Sequence, residues 1–424
     1  MAKTSRISDF HKMSIKERIK VLAEFAELTE EETALLGQSA SLDLETANRM
    51  IENVIGTFEL PLGLVPNMII DGKEILVPLA VEESSVVAGL AHAANMARSG
   101  GGFYTSTTDP VMIAQIQAVN ITDPFAAKMK ILEHRDDILS LANEQDPMLV
   151  KLGGGCRDIE VRVIDTAVGA MVITHILVDT RDAMGANAVN TMAETLAPLI
   201  ETWTGGRVFL RILSNLADRR LARARCLVRK DAVRPGPEVL DGIVSAWAFA
   251  DADPYRAATH NKGIMNGITP LVVATGNDFR AVEAGAHAFA AKTGRYRALT
   301  SWQKDNDGNL AGTIELPIAA GLIGGATALH PLAKIAVKIL GVKTAQELAA
   351  IMAAVGLCQN LAALRSLAAE GIQRGHMKLH AKNIAIMAGA NGEEIDEVAR
   401  LLIQRGKVRI DVADEILKDL RKKH

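Results

Sequence analysis

Aromatic residues make up only 4% of the chain, and cysteine is scarcer still, with three among 424 residues. Cys156, Cys226 and Cys358 lie far apart and no CxxC occurs. That pattern excludes a disulfide framework and a cysteine-based zinc site, and it fits a reducing cytoplasm. An excess of charge is also missing. The balance of 47 basic against 50 acidic residues leaves a net charge of -3, which supplies no field for recruiting nucleic acid or an anionic membrane. The first twenty residues are polar, without the apolar centre of a secretory signal. The longest uncharged run, Leu316 to Ala333, is broken by Pro317, His330, Pro331, Gly321, Gly324 and Gly325. A membrane span would be more uniformly apolar, so this run reads as buried, glycine-tight core. The expectation is a soluble, cytoplasmic protein with neither a nucleic-acid nor a membrane partner. No GxGxxG follows a strand, so a Rossmann dinucleotide site is not indicated.

What is present is a globular balance of 49% apolar and 23% charged residues, on a chain long enough for two or three domains. The first fifty residues read as helical, with Ser14–Glu17 and Thr29–Glu32 at capping-box spacing. From about residue 110 the pattern changes. Val111 to Val119 alternates as a strand, and Asp123-Pro124 opens a helix running to about Asn143. Strands follow at Ile159 to Ile164 and Met171 to Val178, then a helix from Ala186 to about Trp203, then a strand from Val208 to Leu213. The order β-α-β-β-α-β is the split-βαβ, ferredoxin-like arrangement. The expected fold is therefore α+β. A large, discontinuous, helix-rich domain (1–109 and 217–374) carries an inserted ferredoxin-like βαββαβ cofactor domain (110–216). A small helical C-terminal piece (375–424) has two helical patterns separated by Ala390-Asn391-Gly392.

Gly153-Gly154-Gly155 leads into a strand. The better phosphate candidate is Asp182-Ala183-Met184-Gly185-Ala186-Asn187, between a strand and a helix. A glycine there lets backbone N–H groups approach a phosphate at the positive end of the helix; the same turn also reads as a plain helix start capped by Asp182 or Asn187. Polar groups embedded in apolar surroundings mark three further segments. In VPLAVEESSVVAGLAHAA, Glu82 and Glu83 are either functional carboxylates or residues serving a helix dipole. In HNKGIMNGITPLVVATGNDFR, Lys262 is either a site cation or a surface-reaching lysine, and Asp278 either a site carboxylate or a turn residue. In GIQRGHMKLHAKN, His376 and His380 have a spacing that can bind metal, but there is no HExxH and no third ligand; no metal site is expected.

Taken together, ENVIG (Glu52 to Gly56), PLG (Pro61 to Gly63), the EESSVVA run, DAMGAN, HNKGIMNGI, TGNDFR, GGATALHP (Gly324 to Pro331) and GHMKLHA resemble the signature segments of 3-hydroxy-3-methylglutaryl-CoA (HMG-CoA) reductases. They occur in that family's order, over most of residues 50–385, and most closely in its short bacterial class. The resemblance implies that Glu83, Lys262, Asp278 and His376 are catalytic. It implies that Ser85, Arg256 and Asn360 hold the hydroxymethylglutaryl group, and it places Asn266 and Asn215 in matching surroundings. It assigns the dinucleotide to Asp182, Ala183, Met184, Gly185, Ala186 and Asn187. It also implies interconversion of HMG-CoA and mevalonate plus CoA by two hydride transfers, in a homodimer or multiple of dimers, with the C-terminal piece as a closing flap. Asp146 matches an acidic position of NAD-using members, so NAD(H) is expected over NADP(H). In this scheme Lys262 faces the oxyanions and Asp278 keeps the lysine charged. Glu83, driven toward neutrality by burial and by Asp278, delivers a proton, and His376 protonates the departing thiolate. The alternatives are a CoA-thioester binding protein without turnover and a non-redox CoA lyase.

Overall fold

The computed structural model describes residues 3–422 except Pro235, Pro237, Glu370 and Gly371, and gives only the backbone of residues 372–379. Among the described residues ten strands occur in chain order: β1 Leu62–Ile70, β2 Lys73–Ala80, β3 Phe103–Thr107, β4 Val111–Val119, β5 Gly155–Thr166, β6 Gly169–Asp179, β7 Arg207–Leu213, β8 Leu221–Val228, β9 Thr300–Lys304 and β10 Leu310–Pro317. They form two sheets, a six-stranded one in the order β2-β1-β3-β8-β10-β9 and a four-stranded one in the order β5-β6-β4-β7.

The four-stranded sheet is antiparallel throughout and is the expected ferredoxin-like module. Its core joins Met112, Ile116, Ile176 and Val178 to Ile131, Met192 and Leu196 of the covering helices. The single helix expected from residue 123 to about 143 is instead two, Pro124–Glu133 and Arg135–Glu144. His134 sits at their joint, with its ring stacked 4.1 Å from that of Trp203. A third short helix, Pro147–Lys151, follows.

The six-stranded sheet was not foreseen within the helix-rich part. It wraps helix Ala345–Ala369, whose buried residues run from Ala345 to Leu364 on all sides. That helix is long and apolar enough to cross a membrane by composition, yet 83% of its most apolar window is buried inside the protein. It is the centre of the largest core, against Phe103, Ala222, Ala224, Ile264, Ile268 and Leu316. The Leu316–Ala333 run departs from its expectation too. Residues 316–321 are buried, but Ile323, Gly324, Gly325 and Leu329 are exposed.

The C-terminal piece holds three helices where two were expected, Ile372–Met387, Glu393–Gln404 and Ile410–Arg421. The additional break falls at Gly406, whose φ of 64° is unfavourable for other residues. These helices share a core of their own, built on Ala385, Val398, Leu402, Ala413 and Ile416.

The N-terminal end is fastened by a charged contact. The Arg98 guanidinium donates to both Glu74 oxygens (2.9 and 2.6 Å), and the backbone N–H of Ser5 donates to the same carboxylate at 2.9 Å. The Arg98 guanidinium and then the Ser5 contacts hold the Glu74 carboxyl at about 2, despite the opposing effect of burial. A folded-state value below the ordinary 4.5 contributes stability that is present above that value and is lost as pH falls through about 2. Urea midpoints should therefore fall between about pH 5 and pH 2, and Glu74→Gln should be less stable at pH 7 but lose less over that window. Parallel pH profiles for the two proteins would remove this role.

Candidate active site

Glu83 lies in the turn between β2 and helix Val86–Ala97, just ahead of Ser85, which adopts φ 77° at the helix start. A non-glycine residue held in the left-handed region marks a backbone fixed by its surroundings. One Glu83 oxygen accepts from Lys262 Nζ at 3.0 Å and from Asn266 Nδ2 at 3.3 Å. Lys262 and Asn266 are four residues apart on helix Pro254–Ala274 and therefore share a face. The helix is started by Asp253, whose carboxylate accepts from Arg256 N. The Arg256 guanidinium is half-buried, and burial lowers its pKa from the usual value.

Asp278 caps helix Phe279–Ala290 by accepting from Arg280 N (3.0 Å) and Ala281 N (3.3 Å), and it pairs with the Arg280 guanidinium at 3.1 Å. The contact expected between Asp278 and Lys262 is not made. The lysine's carboxylate partner is Glu83, and Asp278 spends an oxygen on its own helix. The expected burial of Glu83 is not seen either, since its side chain is 38% exposed and that of Lys262 62%. Glu83, Ser85 and Asp278 nonetheless open on one cleft of about 1790 Å³, shared with Met184 and Ala186 of the dinucleotide turn and with Gly324, Gly325 and His330.

In the dinucleotide turn, Gly185 (φ 100°) begins helix Ala186–Thr204, and no side chain caps that 19-residue helix. A Cβ at Gly185 would collide with Thr180. The plain capped-turn reading is therefore not what forms. Asp182 instead accepts from Ala345 N at 2.8 Å, at the start of the central helix, and Asn187 is exposed. An uncapped helix start with glycine before it fits a phosphate. Asp146 caps Pro147–Lys151 by accepting from Leu149 N at 2.9 Å, and is half-buried. At the same corner the Gly153 carbonyl accepts from Arg157 and Arg181, and both arginines pair with the buried Asp179.

Two residues inferred to hold substrate are placed elsewhere. Asn215 is exposed and does not line the cleft. Asn360 is fully buried; its Oδ1 accepts from Thr300 Oγ1 (2.9 Å) and Trp302 Nε1 (2.7 Å). His260 Nε2 lies 2.7 Å from Thr300 Oγ1 and 3.3 Å from Asn360 Nδ2. Burial, and then the Arg256 charge, lower the His260 pKa to about 4, so the ring is neutral near pH 7. This buried network, which sequence reasoning missed, backs the helix that presents Lys262. The His376 side chain lies outside the described residues.

An uncapped glycine turn and Glu83, itself bonded to Lys262 and Asn266, line one cleft, an arrangement that suits an oxidoreductase working with a nucleotide cofactor. The family model for hydroxymethylglutaryl-coenzyme A reductase matches residues 14–381. The chain is 60% identical over 421 residues to the 3-hydroxy-3-methylglutaryl-coenzyme A reductase of Archaeoglobus fulgidus, covering 99% of this chain and 96% of that protein. It is 37% identical over 385 residues to a probable enzyme of the same name from Borreliella burgdorferi, covering 88% and 86%. The class II reductase of Streptococcus pneumoniae, solved bound to NADPH in open conformations, superposes with a TM-score of 0.82 at 41% identity, over 96% of this chain and all of that one. The protein belongs to the hydroxymethylglutaryl-CoA reductase family.

The geometry makes Asn360 a structural test case. Asn360→Ala should strand the Trp302 and Thr300 donors and cost about 1–3 kcal/mol for each donor left unpaired, read as a lower unfolding midpoint. An unchanged midpoint with a raised KM would return the side chain to the substrate.

Proposed function

We propose that the protein interconverts HMG-CoA and mevalonate plus CoA, with Glu83, Lys262, Asp278 and His376 as its catalytic residues. The observation that carries this reading is the Lys262–Glu83 contact at 3.0 Å, with Glu83 lining the same cleft as Met184 and Ala186. When bound, a reduced nicotinamide dinucleotide supplies one hydride at each of two reductions. Lys262 stabilises the oxyanion that develops on the substrate carbon each time, an effect worth about 3–4 kcal/mol where such donors have been removed. Glu83, already hydrogen-bonded to Lys262, is placed to pass a proton to that oxygen. Asp278 orients the cationic side of the cleft, and His376 protonates the CoA thiolate as it leaves. Ser85, Arg256 and Asn266 hold the acyl group.

Three units are proposed, 1–109 with 217–374, 110–216, and 375–424. The separate core of the last three helices supports a flap that closes over the exposed lysine. The same reading makes the protein a cytoplasmic homodimer. Supporting self-association, Ile55 and Phe58 are 102% and 92% exposed in a strand-free segment that also borders the cleft, an apolar surface that a second copy can cover. Sedimentation should give a dimer, and Ile55→Asp with Phe58→Asp should yield monomer with impaired turnover. A fully active wild-type monomer excludes the arrangement.

For the cofactor, Asp146 supports NAD(H), since a carboxylate accepts from ribose hydroxyls and repels a 2′-phosphate. The pneumococcal relative binds NADPH, and Arg157 and Arg181 are the nearby cations suited to that phosphate. One assay addresses reaction, cofactor and roles. HMG-CoA should consume two reduced nicotinamides per turnover, which neither a binding protein nor a lyase does. NADH should outperform NADPH, and Asp146→Ala should narrow the gap; a wild type that prefers NADPH overturns the assignment of Asp146. Lys262→Ala should abolish reduction of both HMG-CoA and free mevaldehyde. His376→Gln should slow only the thioester reaction, by about 10²- to 10⁴-fold. Equal losses on both substrates would remove the proton-donor role of His376.

A further inference from the structure

Arg220 is 4% exposed, and among the described residues no carboxylate forms an ion pair with it. Its guanidinium donates to Thr180 Oγ1 (3.0 Å) and to the carbonyls of Ala183 (3.1 Å), Met184 (3.3 Å) and Ala320. Three of these acceptors belong to the strand end and turn that carry the dinucleotide motif, and the fourth to the segment after β10. Burial lowers the Arg220 pKa to about 10, with Asp179 and Asp182 opposing the shift, so the group remains a cation near neutral pH. A buried cation that lacks a carboxylate partner is costly unless its donors are satisfied and a compensating anion is close. Asp179 is already shared by Arg157 and Arg181, and one Asp182 oxygen accepts the Ala345 N–H.

The segment that Arg220 grips has a second attachment. Gly321 N donates to Asn277 Oδ1 at 2.7 Å, and Asn277 immediately precedes Asp278. Leu322 N donates to Asp182 O at 2.8 Å, and Ala183 bridges to Ile323. A Cβ on Gly321 would lie 2.5 Å from Met184 N, so the segment is pressed directly against the turn. From the turn through Arg220, residues 320–322 and Asn277 to Asp278 there is thus one unbroken set of short contacts.

We propose that Arg220 is a positioning residue that locks the dinucleotide turn and Asp278 into a single unit, so that cofactor affinity and the placement of the catalytic carboxylate rise and fall together. The inference rests on the dinucleotide reading of the Asp182–Asn187 turn. Its fork, more than its charge, is what matters, because four acceptors in different directions are beyond one ammonium group.

The test uses the full-length protein and follows reduced-nicotinamide fluorescence on titration with NADH and NADPH, HMG-CoA binding by calorimetry, and kcat. Arg220→Lys keeps the charge and loses the fork. It should raise the dinucleotide Kd by about 10- to 100-fold, the range for lost hydrogen bonds to a charged group, and lower kcat, while HMG-CoA affinity changes by no more than about 2-fold, within the spread of a site away from the change. Should that variant not fold, Asn277→Ala cuts the same path at its far end without touching the turn, and it too should raise the dinucleotide Kd. Wild-type dinucleotide affinity in either folded variant overturns the proposal, as does a parallel loss of affinity for both ligands, which would indicate general loosening. A wild type that binds neither dinucleotide would instead fail the reading of the turn itself, and this inference with it.

Discussion

The close crossing of helices Pro254–Ala274 and Ala345–Ala369 is the constraint on which the site depends. A Cβ at Gly267 would lie 2.8 Å from the Gln359 Cβ, and one at Gly356 would lie 2.6 Å from Ile268 Cδ1. Two glycines therefore let the helices approach more closely than larger residues allow. With Ile264, Ile268, Val355 and Leu357 packed around that crossing, the lysine helix has little freedom to rotate. Its opposite face carries Lys262 and Asn266 to Glu83. Behind it His260, Thr300, Trp302 and Asn360 are joined by hydrogen bonds, and the buried Asn261 accepts from Leu299 N. A close-packed interior transmits small displacements, so residues well behind the cleft decide where the lysine points.

The same central helix also reaches the nucleotide module. Its first residue, Ala345, donates to Asp182, and the turn containing Asp182 is held from below by Arg220. Both halves of the cleft are thus referred to one rigid element. The C-terminal helices have a core of their own and lie outside that shared frame.

Local features were legible in the sequence because their partners are three residues away. Both capping boxes form, Ser14 with Glu17 and Thr29 with Glu32, and the split-βαβ order appears in the four-stranded sheet. The six-stranded sheet was not legible. β8 reads LARARCLV, and its buried face is only Ala222, Ala224, Cys226 and Val228, small residues dictated by the helix lying on it. Such a strand lacks the bulky β-branched alternation that announces one. Arg220 was illegible for a related reason. It is one of four arginines between 219 and 225, and the adjacent Arg219 pairs with Glu160 at the surface. Only the turn of the chain around Ala217 decides which guanidinium points inward. The proposed catalytic positions rest on the wording of whole segments, because an exposed Lys262 or a helix-capping Asp278 has no signature of its own.

The exposure of the Lys262–Glu83 pair has a consequence for how catalytic power arises. Two unit charges about 4 Å apart interact by only about 1 kcal/mol in water, and by about 4 kcal/mol at the effective dielectric of a protein surface. With the lysine side chain 62% exposed, the cleft as it stands lies toward the weak limit. An oxyanion stabilisation of about 3–4 kcal/mol therefore needs water removed from around the lysine. None of the residues fixed by the two crossed helices does that, since all of them pack behind it. The covering groups must come from elements outside this rigid frame, namely the C-terminal helices, the apolar segment around Ile55 and Phe58, or the bound substrate itself. The rigid frame supplies aim, and whatever covers the lysine supplies strength.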